Sequence, residues 1–253
     1  MTADEYVLNV IRNHSLPLQL NQKELSVIAP LKNIISAWAG NCLCEIKLSG
    51  SRAKGTAIDI ATDLDLFISL SSTTTNSLSE IYNSLYNRVI SNGLTARKQN
   101  VSIGVIYEGK KVDLVPAKRQ GPNGGDHSLY KSKTDSWTKT NIDTHISEVV
   151  HSGRRNEIIA LKIWRENHKL EFPSILLETL TIDALYGHST STTAANVISM
   201  LTYIRDHIQT VRVLDPANTN NVLSNDLSAK EKLLLAQQAD KSLKEQYWKQ
   251  IIW

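Results

Sequence analysis

The sequence predicts an α+β protein, with a small mixed sheet flanked by helices in its first half and a C-terminal lobe built of helices alone. Three observations carry this prediction. Apolar residues alternate with polar ones over Cys44–Leu48 and Asp63–Leu70, the period of strands. From about residue 139 onward the spacing changes to threes and fours, the period of helices. No Gly/Ser/Pro-rich linker marks the change, so a long helix near 140–150 is expected to join the two lobes, 1–139 and 140–253.

The bulk composition bounds the rest. A chain of 253 residues suffices for one large domain or a pair of lobes. With 41% hydrophobic and 21% charged residues, wholesale disorder is excluded. No apolar run reaches the roughly 18 residues of a membrane span, so no membrane association is expected. The opening MTADEYVLNVIRNH has no basic stretch followed by an apolar one, which argues against a secretory signal and for a cytoplasmic location. Cys42 and Cys44 lie two apart in a strand-like segment, too constrained for an ordinary disulfide, and read as reduced packing residues. No CxxC pair suggests zinc. A net charge of +3 is too mild to establish a nucleic-acid footprint and suits a basic pocket for a small anion equally well.

Along the chain, Leu25, Ile28, Leu31, Ile35 and Trp38 mark a helix from Asn21 to Trp38 that Pro30 is expected to kink or split. Strands follow over Cys44–Leu48 and Asp63–Leu70, and residues 71–77 read as a polar loop. Ser77 with Glu80 forms a capping-box pattern; the helix behind it carries Leu78, Ile81, Tyr82, Leu85 and Val89 on one face and stops near Gly93. Strands over Asn100–Tyr107 and Val112–Pro116 flank a hairpin turn at Glu108–Gly109–Lys110. The segment GPNGGDHSLY, with His127, reads as a connector. In the helical half, Ile142, Ile146 and Val149–Val150 mark one stripe, and Ile158, Leu161 and Ile163–Trp164 another. Pro173 opens a further helix, and Ile198, Leu201, Ile204 and Ile208 mark the next. Asp215–Pro216 is a structural turn, and Ser228 with Glu231 starts a terminal helix toward Tyr247–Trp248. Trp137, Trp164 and Trp248 are expected in the core, and Arg154 and Arg155 in solvent.

The chemistry concentrates in LSGSRAKGTAIDIATDLDLFISL, residues 48–70. A Gly50–Ser51 break after a strand offers free backbone N–H groups and a hydroxyl to the oxygens of a polyphosphate, with Lys54 and Thr56 able to add a charge and a donor. Asp63 and Asp65, two apart on a strand, leave the same face with origins roughly 6–7 Å apart. Side chains of that reach can converge on a pair of Mg²⁺ ions about 3.5–4 Å apart. Asp113 is a carboxylate on an otherwise apolar strand, costly without a partner. Three carboxylates form a hard oxygen set that leaves room for water and phosphate.

In this order the segments resemble the GS…DxD signature of the polymerase-β-like nucleotidyltransferase superfamily, whose third carboxylate lies on a later strand, as Asp113 does. Within it the chain most resembles the branch of oligoadenylate synthetases and bacterial cGAS/DncV-like enzymes (CD-NTases). EIIALKIWRENH (157–168) is similar to the family's spine-helix segment, which implies that Lys162 meets the triphosphate. FPSILLETLTIDALYG (172–187) is similar to the next helix, with Ser174 at a phosphate-side position and Ile175 where many relatives have a base-stacking Tyr. VRVLDPANTNNVLSND (211–226) resembles the family's DPA loop. The likeness spans about residues 40–253.

The resemblance implies a nucleotidyltransferase lobe and a helical lobe with the active site in the cleft between them. Catalysis and metal binding fall to Asp63, Asp65 and Asp113, with two Mg²⁺ ions (Mn²⁺ could replace them). Nucleotide binding falls to Gly50, Ser51, Lys54, Lys162 and Ser174. NTPs, ATP foremost, are the implied substrates, and a linear or cyclic oligonucleotide messenger of antiphage signalling the product, acting on any downstream effector through that product. Two readings compete: transfer to an RNA or tRNA end, and a catalytically silent relative that binds nucleotide or RNA.

Overall fold

Nine strands and nine α-helices occur among the residues described by this computed structural model, 1–61 and 63–253. They fall into two compact units. One comprises Pro17–Lys54 and Thr62–Ile146, the other Met1–Leu16, Gly55–Ala61 and Ser147–Trp253.

The first of these, the sheet unit, holds α2 (Gln22–Ala39), α3 (Gly50–Lys54) and α4 (Leu78–Ser91). Its strands are β1 (Leu43–Ser49), β2 (Leu64–Leu70), β3 (Thr95–Lys98), β4 (Ile103–Tyr107), β5 (Lys110–Arg119), β6 (His127–Lys131) and β7 (Ser136–Thr140). The order is β1-β2-β5-β4-β3, with β6 added to β5 and β7 to β6. Among the described residues only β2 and β5 pair in parallel, so the sheet is mixed.

Alternation along β2 explains its two faces. Leu64, Leu66, Ile68 and Leu70 are buried with Val27, Ile28, Leu31 and Ile35 of α2 and Ile81, Tyr82, Leu85 and Val89 of α4. On the reverse face Phe67 packs with Ala117, Leu129 and Ile142, whereas Asp65 is only half-buried. One end of that face is therefore covered and the acidic end is not.

Several local expectations are corrected. Pro30 does not split its helix; α2 runs through it. Loss of one backbone bond costs about 3 kcal/mol, and four core side chains plus the Asn21–Glu24 capping box hold the segment helical. The buried stripe is Glu24, Val27, Ile28, Leu31 and Ile35, which turns Leu25 outward. Cys42 lies in a 3₁₀ turn, and Cys44 is exposed at a register shift between Leu43 and Glu45, where the bulge breaks the alternation that put it inside. β3, β6 and β7 were not expected, and the His127 segment is no mere connector, since His127 begins β6 and is buried. Trp137 is 59% exposed on β7, the last strand of its branch. The hairpin forms as expected: Glu108 and Gly109 have φ of 47° and 72°, the left-handed pair a two-residue turn requires.

The helical unit gathers α1 (Ala3–His14), α6 (Arg155–Asn167), α7 (Ser174–Ala184), α8 (Thr193–His207) and α9 (Ala229–Leu243), with a hairpin of β8 (Leu214–Asp215) and β9 (Asn218–Val222). α5 (Ile142–His151) carries the chain from one unit to the next. Every residue of α6 from Glu157 to Trp164 is buried, as befits a central helix. Val7, Val10 and Ile11 of α1 and Ile58 join the same core. The units thus depart from a single cut at 139/140, because α1 and the stretch 55–61 bury their apolar residues with the C-terminal helices.

Arg154 is buried rather than solvated: it donates to the carbonyls of Leu185, His188 and Ser189 after α7 and lies 3.5 Å from Glu157. The exposed Arg155 donates to the Gly55 carbonyl at 2.7 Å. Val150 is exposed while Val149 is buried. Ser228 and Glu231 cap α9 as read, but that helix ends at Leu243, short of Tyr247–Trp248. Among the described residues no helix is long and apolar enough to cross a membrane.

Candidate active site

One row of residues crosses five strands of the sheet. Ser49, Asp65, Asp113, Gly104 and Arg97 are successive cross-strand partners on β1, β2, β5, β4 and β3. Residues directly opposed in a sheet share a face, so Asp65 and Asp113 project side by side.

Gly50 follows Ser49 at the turn into α3, with φ +61°. A Cβ there would stand 1.8 Å from Asp65 Oδ2, so only glycine lets this carboxylate lie against the turn. Ser51 and Lys54 sit half-buried in α3. Arg52 anchors that short helix: its guanidinium is 2.9 Å from the Glu24 carboxylate and donates to the carbonyls of Pro17 at 2.6 Å and Gln19 at 3.2 Å.

Asp63 is exposed just ahead of β2. Burial, and then the charge of Asp63, pushes the Asp113 carboxyl above the usual carboxylate range; hydrogen bonding from Gln99, the Arg97 charge and the Ser102 hydroxyl oppose the shift. Gln99 is a participant that sequence reasoning missed. Its amide lies over Gly104, where a Cβ would stand 2.7 Å from Gln99 Nε2 and 3.3 Å from Asp113 Oδ1. The Tyr82 hydroxyl fixes this turn, 2.6 Å from the Gln99 carbonyl oxygen and 2.9 Å from that of Ser102. No periodicity or spacing announces Gln99 or Arg97, since TARK is a four-residue polar strand.

The donor set suits a hard divalent cation: carboxylate oxygens beside a turn that a Cβ would fill, with like charges pressing on Asp113 that a cation would relieve. Among the described residues, no three His, Cys, Asp or Glu side chains are already gathered into a ligand group. Asp63, Asp65 and Asp113 therefore do not stand as a ready-made ligand trio in this structure.

The helical unit holds the other residues singled out from sequence. The Lys162 ammonium is 2.6 Å from Glu178 Oε1 and donates to Thr56 Oγ1 at 2.8 Å, and all three side chains are buried. Thr56 is thus engaged internally rather than offered to a phosphate. Lys162, which the resemblance assigns to a triphosphate, neutralises a buried acid here; with both charges out of water, each requires the other. Ser174 opens α7 and accepts from Arg165 Nη1 at 3.1 Å. Ile175 packs against the apolar core. Asp215 is buried in its turn, accepting from the Ala217 N–H at 2.9 Å.

No family model matches this sequence, and no curated protein does. Solved structures match its fold. CdnC of E. coli MS115-1, in a structure with ATP, has a TM-score of 0.75 at 17% identity, over 98% of this chain and 96% of that one. The CD-NTase CdnG of Bradyrhizobium diazoefficiens, in complex with GTP, has a TM-score of 0.80 at 12% identity, over 96% and 90%. E. coli DncV, in a 3′-deoxy GTP bound form, has a TM-score of 0.65 at 13% identity, over 96% and 75%. The chain has the CD-NTase fold, in agreement with the α+β class read from its sequence.

Proposed function

We propose that this chain is a Mg²⁺-dependent nucleotidyltransferase that joins NTPs into an oligonucleotide second messenger, cyclic in form, for antiphage signalling. The observation that carries the reading is the pairing of Asp65 with Asp113 beside the Gly50 turn, with Asp63 close enough to raise the Asp113 carboxyl. That the chain has the fold of CD-NTases solved with ATP and GTP supports NTPs as substrates.

In the proposed reaction the donor triphosphate rests on the backbone N–H groups of Gly50 and Ser51 and the Ser51 hydroxyl, with Lys54 adding a positive charge. The acceptor hydroxyl oxygen forms a bond to the α-phosphorus as the bond from that phosphorus to the β-bridging oxygen breaks. Pyrophosphate leaves, and the hydroxyl proton passes to water. Asp63, Asp65 and Asp113 would hold the Mg²⁺ ions, which when bound neutralise phosphate charge and make the hydroxyl more acidic. The protein's own contribution is position: β2 and β5 fix two acids in register, and Arg52 fixes the turn that receives the phosphates.

Incubation with each NTP and with pairs of NTPs in Mg²⁺, followed by mass analysis, tests the reading. Cyclic or 2′–5′ linked products and pyrophosphate are the expected result. Labelled RNA would favour transfer to a nucleic-acid end. Tight NTP binding without turnover under any pairing would mark a silent relative and overturn the proposal.

A further inference from the structure

We infer that Gln99 is the positioning residue for Asp113, its side-chain amide fixing the direction of that carboxylate. Gly104 is the empty place that lets it do so. The inference rests on the nucleotidyltransferase reading and deepens it by naming what sets the affinity of the acids for a divalent cation.

The Gln99 side chain is oriented from its far end. Its carbonyl oxygen accepts from the hydroxyl of Ser102, a buried residue. The amide nitrogen is thereby left to face Asp113 and hydrogen-bonds to its carboxylate, which as an ion can only accept. The Ser102 hydroxyl itself lies 3.5 Å from Asp113 Oδ2. A carboxylate has about four acceptor sites, so these contacts aim it and still leave room for a cation.

The backbone of Gln99 is held as well. Its N–H donates to the Ser102 carbonyl at 2.9 Å. Its own carbonyl receives the Tyr82 hydroxyl from α4 and the Ser132 hydroxyl from beyond β6, each at 2.6 Å. Ordering a glutamine side chain costs entropy, and here the turn has met that cost before a ligand binds.

Gly104 supplies the space. Its backbone lacks the left-handed φ that calls for glycine elsewhere in this chain, and glycine inside a strand weakens it. What a side chain there would displace is the Gln99 amide, whose Nε2 would stand 2.7 Å from the added Cβ, with Asp113 Oδ1 at 3.3 Å. Asp65 lies against Gly50 in a similar way. Each acid of the pair thus has a glycine beside it.

Titration of the nucleotide-free protein with Mn²⁺, read as loss of the free-ion signal in electron paramagnetic resonance, tests the assignment beside the Mg²⁺ dependence of turnover. Gln99→Ala should weaken Mn²⁺ binding by about 10–100-fold, the scale of a lost outer-shell partner. It should raise the Mg²⁺ needed for half-maximal turnover in step, with the KM for NTP at saturating Mg²⁺ unchanged. Gly104→Ala should copy both effects without lowering the melting temperature, and the double variant should be no weaker than either alone. Ser132→Ala, which loosens the turn through its backbone only, should bind Mn²⁺ as the wild type does. Wild-type values of both readouts in Gln99→Ala, losses that add in the double variant, or a matching loss in Ser132→Ala would each overturn the positioning role and spare the reading of the acids. A wild type that neither binds Mn²⁺ nor turns over any NTP in Mg²⁺ overturns the functional reading itself.

Discussion

Two of the places where charged groups come together in this protein treat them oppositely. In the helical unit, Lys162 and Glu178 are both 2% exposed and answer each other at 2.6 Å, with Thr56 completing the set. On the sheet, Asp65 and Asp113 stand side by side with Asp63 near, all negative, on the part of the face that apolar packing leaves uncovered. The first arrangement is complete as it stands. The second leaves the Asp113 carboxyl raised despite the Arg97 charge and the hydrogen bonds from Gln99 and Ser102. Buried opposite charges hold a packing, whereas like charges on an open face mark a candidate site.

The largest expected effect tests the acids. Asp63→Asn and Asp65→Asn should each lower NTP turnover by at least roughly a thousandfold, the scale of removing one preorganised electrostatic contact to the reacting groups. The melting temperature of Asp63→Asn should stay near that of the wild type or rise, since the change removes the charge that presses on Asp113. Wild-type turnover in either variant would dissolve the contrast.

Lys162→Met probes the other side. Removing one partner from a buried pair costs about 3–5 kcal/mol, so the denaturation midpoint should fall steeply while the KM for NTP of the folded protein barely moves. A raised KM with unaltered stability would return Lys162 to the triphosphate role that its sequence context suggests.

The smallest effect is a pH dependence that the two units share. Burial lowers the proton affinity of His127 in the sheet unit and of His168 in the helical unit, outweighing the carbonyls of Gly125 and Ile251 that favour the charged forms. Their folded-state pKa values thus lie below the unfolded value of about 6.5. Above that value both states are neutral and nothing is lost. As pH falls through it, the unfolded chain takes up protons that the folded chain resists, and stability declines. Urea midpoints measured from pH 7.5 down to 5 should fall; a flat profile would remove the assignment.

What the sequence discloses follows from how local the determining contacts are. The Ser77–Glu80 and Ser228–Glu231 boxes, the alternation of β2 and the Glu108–Gly109 turn are each decided within a few residues, and each is read correctly. The glycine turn is legible for the same reason, whereas Asp63, read as a strand residue two before Asp65, lies just ahead of β2. Distant partners are not. Lys162 meets Thr56 across 106 positions, and Arg154 finds carbonyls 31 to 35 positions away. Gln99 reaches Asp113 only because Gly104, on the neighbouring strand, leaves room above the sheet. Such contacts are made by the fold, and no periodicity encodes them.

The path of the chain around the glycine turn limits how this protein can be rebuilt. After Lys54 the backbone leaves the sheet unit, contributes Gly55–Ala61 to the helical one, and only then returns to supply β2. Recombination at a single crossover, 139/140 included, would hand one parent's α1 and Ile58 to another parent's Ile158 and Leu201, which share one apolar core. Grafts between relatives would therefore have to exchange three separate segments together.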